Sequence, residues 1–402
     1  MTRRVLIASD FNAGDRAHFA LAYEFCRIVS ECESADLVAP GIDHYVKRYL
    51  GRVLPAHDGH NVQRDFNRLV SGVRKRLGLR NAPTFAPHDI DRDYDLFLFV
   101  AWSPQSLVEL SRLRNWRRRC KIAVLYLFEL WTSTLGDDRH YLKLLDDFDH
   151  IFLLHSACIP YLADYTRAPC TFLPTGVDCL VATPYPAPPP RVIDVYSIGN
   201  RAPAIHRQLV SLAQQRNFFY VYDSLSSTDS RVRDWAEHRL LLANMIKRSR
   251  YFIGFAPASL ALPKSSKIAG EAVLPSRLFE GAAGGAVILG SAPRCPEFDA
   301  CFDWPDAVIE ISPAADDVAA IIDDLDAQPE RLEAIRRANI AGCLLRHDWV
   351  YRWEHILAAA GLEPSLQLHR RKAQLREIAA GVEPVTHPRS AAAVEAQYAI
   401  RK

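Results

Sequence analysis

Short apolar runs alternate with amphipathic stretches along most of this chain. Val5-Leu-Ile-Ala-Ser9 comes first and ends at Asp10. Leu37-Val-Ala39, Leu96-Phe-Leu-Phe-Val-Ala101, Ile122 to Phe128, Ile151-Phe-Leu-Leu154 and Thr171-Phe-Leu173 follow. Runs so short and so continuously apolar predict strands covered on both faces. Between them apolar residues recur at helical spacing, as in Phe19, Ala22, Tyr23, Cys26 and Val29. Two further stretches, near Tyr45–Leu54 and 62–77, also predict helices. Another should run from the Trp102-Ser-Pro104 turn to about Leu113.

The same alternation restarts after a proline-rich segment. Val192 to Ile198, Phe218 to Tyr222, Tyr251 to Phe255 and Ala307 to Ile311 predict strands. Helices are expected around His206–Leu212, Trp235–Ser249, 315–325, 329–341 and His347–Leu357. Strands alternating with helices imply parallel sheets with helices on both faces. The expected fold class is therefore α/β, with two doubly wound, Rossmann-like domains. The expected division is 1–179, a Pro-rich linker at 180–191, 192–360, and a basic and Ala-rich tail at 361–402. Five prolines between Thr183 and Arg191 mark the linker as stiff and extended. The tail is expected either to cross back to the first domain or to be loose.

Parallel sheets take ligands at the carboxyl ends of their strands. In the first half those ends carry Asp10, Asn12, Gly14, Trp102, Ser103, Glu129, Trp131 and His155. In the second half one stretch stands out: Leu274-Pro-Ser-Arg-Leu-Phe-Glu-Gly-Ala-Ala-Gly-Gly-Ala-Val-Ile-Leu-Gly290. Ser276 has the chemistry of a helix N-cap. A helix over 277–283 is expected, stopped by Gly284-Gly285, with a buried strand after it. Arg277 then sits at the positive end of a helix dipole, a poor place for a cation unless an anion is shared with the free N–H groups.

Composition removes some alternatives. The chain has 402 residues, 49% hydrophobic and 24% charged, with a net charge of only +2. That is ordinary for a globular protein and gives no global field for nucleic acid. No run reaches the roughly 18 apolar residues of a membrane span. The N-terminus reaches Asp10 too early for a signal peptide. Nine scattered cysteines without metal-ligand spacing fit reduced thiols, so a cytoplasmic location is expected. Basic clusters at Lys47-Arg48-Arg52, Arg74–Arg76, Arg112–Arg119 and Arg370–Lys372 read either as solvated faces or as contacts to an anionic membrane surface. Asp93-Tyr-Asp95 and Asp147-Phe-Asp149 have metal-binding spacing, yet both precede strands and point away from the ligand edge. No metal or other cofactor is expected.

The order Pro-Ser-Arg-Leu-Phe-Glu-Gly-Ala-Ala-Gly-Gly at 275–285 resembles the nucleotide-sugar motif of the group 1 glycosyl transferases, in particular the bacterial CgeB-like subgroup. Leu173-Pro-Thr-Gly-Val-Asp178 resembles the interdomain connection of two-domain members. His347 to Arg352 resembles the terminal helix of the subgroup. The resemblance covers about 175–357 well and the first half only in outline. It implies the GT-B fold, two domains facing across a cleft, and transfer of a sugar from a nucleoside diphosphate donor to a glycan or lipid-linked acceptor, with retention of configuration and a role in surface polysaccharide or glycoconjugate synthesis.

It also implies roles. Gly199-Asn-Arg201 with Arg207 looks like the family's phosphate clamp, Arg207 standing where lysine is usual. Lys264 or Lys267 would add a cation. Ser276, Arg277, Leu278 and Phe279 would offer main-chain or side-chain groups to the diphosphate or donor sugar, and Glu280 would hold the ribose. Glu271, nine residues before Glu280, departs from the family's usual spacing of eight. The histidine that many relatives carry at a central strand end of the first domain is missing. Glu129, His155 and Asp10 are the candidates for acceptor-side acid/base work. Two alternatives stay open: a nucleotide-sugar epimerase of the same fold, and a non-catalytic GT-B-like binding protein.

Overall fold

A computed structural model describes residues 3–11, 17–40, 52–54, 83–223, 232, 234–260 and 271–382. Two compact units are present. The first takes in the described residues up to Thr175, with those at 232–239 and Val350–Arg371. The second takes in the described residues from Gly176 to Trp349 outside 232–239, together with 372–382. Residues 180–191 lie wholly in the second unit. There Arg191 donates to the carbonyls of Ser249 (2.6 Å) and Gly284 (3.3 Å). The tail begins as a helix, Leu366–Val382.

The main sheet of the first unit is built from β1 (Arg4–Ser9), β2 (Ser34–Val38), β3 (Arg52–Leu54), β5 (Tyr94–Ala101), β7 (Cys120–Leu127), β8 (His150–Leu153) and β9 (Cys170–Phe172), every neighbouring pair parallel. A small pair, β4 (His88–Asp89) and β6 (Leu113–Arg114), stands outside it. The order is β3-β2-β1-β5-β7-β8-β9. β5 is the middle strand with β1 beside it, and both are buried: Val5, Leu6, Ile7 and Ala8, and every residue from Leu96 to Ala101, are fully buried. Leu6, Phe97, Phe99, Leu125 and Ile151 share one core with Trp116 and Phe148. The strand order reverses between β1 and β5, so Asp10 and Trp102 stand at the switch point, where ligands of such sheets gather.

Two expectations are corrected here. Arg52–Leu54 is not the end of a helix: Val53 pairs with Leu37, so the extended partner strand decides its conformation. The rest of Tyr45–Leu54 and all of 62–77 lie outside the described residues. The segment Pro104–Arg112 is a 3₁₀ helix, held at its start by a reciprocal box between Ser103 and Ser106.

The second unit holds β10 (Ile193–Ser197), β11 (Tyr220–Tyr222), β12 (Ser249–Phe255), β13 (Val287–Ser291) and β14 (Ile309–Glu310), again all parallel, in the order β11-β10-β12-β13-β14. Its switch point lies between β10 and β12. The helix expected over 277–283 runs Ser276–Ala283. Its stop is a complete Schellman motif: Ala286 N–H bonds the Gly281 carbonyl (3.2 Å) and Gly285 N–H bonds that of Ala282 (2.9 Å). Gly285 has φ +66°, which a side chain would resist. The start differs from expectation. Pro275 occupies the N-cap position, no side chain caps the helix, and Ser276 is already its first residue. Proline suits that boundary because it fixes φ and has no N–H to satisfy.

Candidate functional site

In the second unit β10 ends at Ser197 and the chain turns through Gly199, which has φ +71°. Glycine is required there for a second reason. A Cβ on Gly199 would lie 2.2 Å from Arg277 Nη2, so the guanidinium rests directly on the turn. Arg277 Nη1 also donates to the Asn200 carbonyl at 3.1 Å. The first residues of the helix Ser276–Ala283 and the β10 turn are thereby locked together.

Arg201 lies beside them. Its Nη2 donates to both the carboxylate and the main-chain carbonyl of Asp223, the residue after β11. Gly199 N–H donates to the other Asp223 oxygen at 2.9 Å. The Arg201 guanidinium carbon sits 5.4 Å from the Tyr222 ring centroid, within cation–π range. Arg201 Nε is buried without a hydrogen-bond partner among the described residues.

Glu280 is buried, and its charge helps hold the half-buried Arg277 protonated against the downward pull of desolvation. Burial pushes the Tyr196 hydroxyl up, and the negative charges of Asp223 and Glu280 push it further. Two guanidiniums, two carboxylates and a phenol therefore converge at the carboxyl edge of this sheet, at its switch point. Such a cluster can bind an anion between the arginines and hydrogen-bond hydroxyls through the carboxylates.

The other donor-side candidates separate. Arg207 is on the exposed face of the helix Pro203–Gln215 and makes no hydrogen bond or ion pair among the described residues. Its neighbour His206 turns inward to the Tyr220 hydroxyl at 2.9 Å. Leu278 and Phe279 are fully buried core residues. Phe279 packs edge-on against Phe302 and His347. The Leu278 N–H is spent on the Pro275 carbonyl (3.1 Å), which removes it as a donor to a diphosphate. Helical periodicity explains this: 278 and 279 face the core when 276, 277 and 280 face the sheet edge. Lys264 and Lys267 lie outside the described residues. Glu271 is buried and described. An open cavity of about 650 Å³ lies past β13 and β14, lined by Ala292, Arg294, Cys295 and Glu310; it does not include the arginine pair.

In the first unit Asp10 accepts from Trp102 N–H (3.0 Å) and Ser106 Oγ (2.5 Å). Burial raises its pKa to about 6, against the lowering effect of those bonds. Trp102 stacks on His18 at 4.2 Å and meets Phe19 and Phe128 edge-on. His155 stacks on Trp131 at 4.5 Å. It is 7% exposed, and burial lowers its pKa to about 4, so it is neutral at physiological pH and a weak proton acceptor. Glu129 is half-buried at the end of β7, its N–H bonded to the Trp102 carbonyl at 2.7 Å.

The Asp-x-Asp motifs sit at the opposite edge. Asp95 pairs with Lys121, Asp93 with Arg119 and Asp149 with Arg117. These pairs also engage two arginines of the 112–119 cluster. Among the described residues no three His, Cys, Asp or Glu side chains are grouped to hold a metal ion, and no helix is long and apolar enough to cross a membrane.

The fold is that of the GT-B glycosyltransferases. A Rickettsia africae glycosyltransferase superposes with a TM-score of 0.51 at 11% identity, over 89% of this chain and 98% of that one. Anabaena HepE, solved with UDP-glucose, gives 0.53 at 12% over 89% and 99%. An alpha-glucosyltransferase solved with UDP and a 13-mer DNA gives 0.53 at 9% over 89% and 99%. At such identities the likeness is one of fold. More narrowly, residues 201–358 match the model of a glycosyl transferase-like family, so the match opens on Arg201 and includes Arg277 and Glu280. No curated protein matches the chain in sequence.

Asp223 and Tyr222 were not legible beforehand. Asp223 follows a strand by one residue, but nothing in its neighbourhood pairs it with Arg201 across 22 residues.

Proposed function

We propose that the chain transfers a sugar from a nucleoside diphosphate donor, with UDP as the nucleoside diphosphate, and that the second unit holds the donor. The observation that carries this is the Arg201–Arg277 pair on the Gly199 turn at the switch point, inside the stretch that matches the transferase family. UDP is chosen because two fold neighbours were solved with UDP or UDP-glucose. Arg277 and Arg201 would neutralise charge developing on the departing diphosphate, the task a fixed, partly desolvated cation performs well. Glu280 would accept from the ribose hydroxyls. No step is assigned to a metal.

The acceptor work falls to the first unit. Asp10, with a pKa near neutrality, and Glu129 at the end of β7 are better matched to a proton-accepting role than His155. A glycan or lipid-linked acceptor, retention of configuration, use in surface glycoconjugates and membership of the CgeB-like subgroup complete the proposal, all resting on the motif resemblance at 275–285 and 347–352.

The test is incubation with UDP-glucose, UDP-galactose and UDP-N-acetylglucosamine, with and without a lipid and glycan extract. Slow UDP release that accelerates with extract supports transfer. Interconversion of the sugars would make the chain an epimerase instead, and binding without turnover would make it a binding protein. Loss of UDP release in Arg277→Ala and Glu280→Ala would support the site. Full activity in both variants would overturn it.

A further inference from the structure

We propose that Asp223 is the positioning residue of the donor site, holding the Gly199 turn and the Arg201 guanidinium in the arrangement that receives the diphosphate. The inference rests on the donor-site reading and adds a residue to it.

β10 and β11 run parallel with Ser197 opposite Tyr222, so Asp223 leaves β11 beside the point where β10 enters its turn. One carboxylate oxygen takes the Gly199 N–H at 2.9 Å. The other, with the Asp223 carbonyl, takes Arg201 Nη2. One residue therefore satisfies the turn and the cation together. The side chains of Arg201 and Asp223 are only 17% and 14% exposed. That is buried enough for the pair to resist the screening that makes surface ion pairs weak. Gly199 in turn carries the Arg277 guanidinium, at a distance no Cβ would permit. Asp223 thus reaches both arginines: Arg201 by an ion pair, Arg277 through the shape of the turn.

Two consequences separate this role from simple packing. Arg201 is gripped through Nη2 while its Nε is buried without a partner among the described residues, so the hold of Asp223 sets how the fork is turned. Asp223 also supplies a negative charge next to where the diphosphate would lie. Removing that charge without misplacing Arg201 should tighten an anion. Removing the hold should weaken it. The geometry predicts that the hold dominates, because a misplaced arginine loses its directed hydrogen bonds, worth about 10- to 100-fold in binding.

The experiment is UDP titration calorimetry on the full chain, comparing wild type, Asp223→Asn, Arg201→Lys and the double variant, with thermal melts as a control for folding. Asp223→Asn should weaken UDP about 10- to 100-fold. Arg201→Lys, which keeps the charge but loses the fork that Asp223 grips, should do the same. The double variant should be little worse than either single one, because all three remove one arrangement. Equal or tighter UDP binding by folded Asp223→Asn, or fully additive losses, would overturn the proposal while leaving the donor site standing. Should Asp223→Asn not fold, Arg201→Lys with wild-type affinity would overturn it equally. Failure of the wild-type protein to bind UDP would overturn the donor-site reading itself, and the proposal with it.

Discussion

Gly199→Ala perturbs the candidate donor site through a single carbon. Two costs follow from its position. An alanine at φ +71° is in the left-handed region, at about 1–2 kcal/mol. The new Cβ would also lie 2.2 Å from Arg277 Nη2 and 3.3 Å from its Cζ, so the guanidinium must move away. Moving breaks its bond to the Asn200 carbonyl, a hydrogen bond from a charged donor worth about 1.5–3 kcal/mol when shielded from water. Arg277 is half-buried, so the lower end applies. The expected destabilisation is about 2.5–3.5 kcal/mol by urea denaturation.

The same displacement should weaken UDP by about tenfold or more, since Arg277 would no longer point where it does. The decisive comparison is a double-mutant cycle with Arg277→Ala. In that background there is no guanidinium to displace, so Gly199→Ala should cost only the conformational term, about 1–2 kcal/mol, and change UDP affinity little. Equal effects of Gly199→Ala in both backgrounds would show that the turn does not carry Arg277.

Asp10 and His155 should pull acid stability in opposite directions. The Asp10 pKa is raised from 3.8 to about 6, so the folded state binds the extra proton between those values and gains up to about 3 kcal/mol as pH falls through that window. His155 is lowered from 6.5 to about 4, so stability is lost as pH falls across that range, by a similar amount. Asp10→Asn should therefore steepen the fall of the melting temperature between pH 6.5 and 4, and His155→Gln should flatten it; parallel profiles for wild type and both variants would refute the assignment. Arg352→Met should cost at least about 3 kcal/mol in urea denaturation, because the buried guanidinium donates to the carbonyls of Pro174 (2.9 Å) and Thr175 (2.8 Å), which would be left without it. Binding of anionic vesicles should be weak and should vanish at high salt, because Arg117 and Arg119 are already paired with Asp149 and Asp93. Salt-resistant sedimentation with vesicles would contradict this.

Periodicity and punctuation determined a good deal of this protein. Each continuous apolar run of the first half became a parallel strand, because a strand buried on both faces has no polar side to show. The Gly284-Gly285 stop was legible because a positive φ has few residues to choose from. The candidate donor stretch was visible for the same local reason: a short helix, an arginine at its start and a carboxylate one turn later lie close in sequence. What lay beyond local pattern was partnership. Arg207 was a candidate beside Arg201, yet only Arg201 faces the sheet edge. Ser276 had the chemistry of a cap, but Pro275 set the boundary one residue earlier. Leu278 and Phe279 belonged to the motif and went to the core. Asp223 carried no signal, since its role comes from β11 lying beside β10. Local backbone preference is written residue by residue, whereas the direction of a long side chain is decided by which strand ends the sheet order brings together. Only the tertiary structure could make one aspartate, one glycine and two arginines, spread between positions 199 and 277, into a single site.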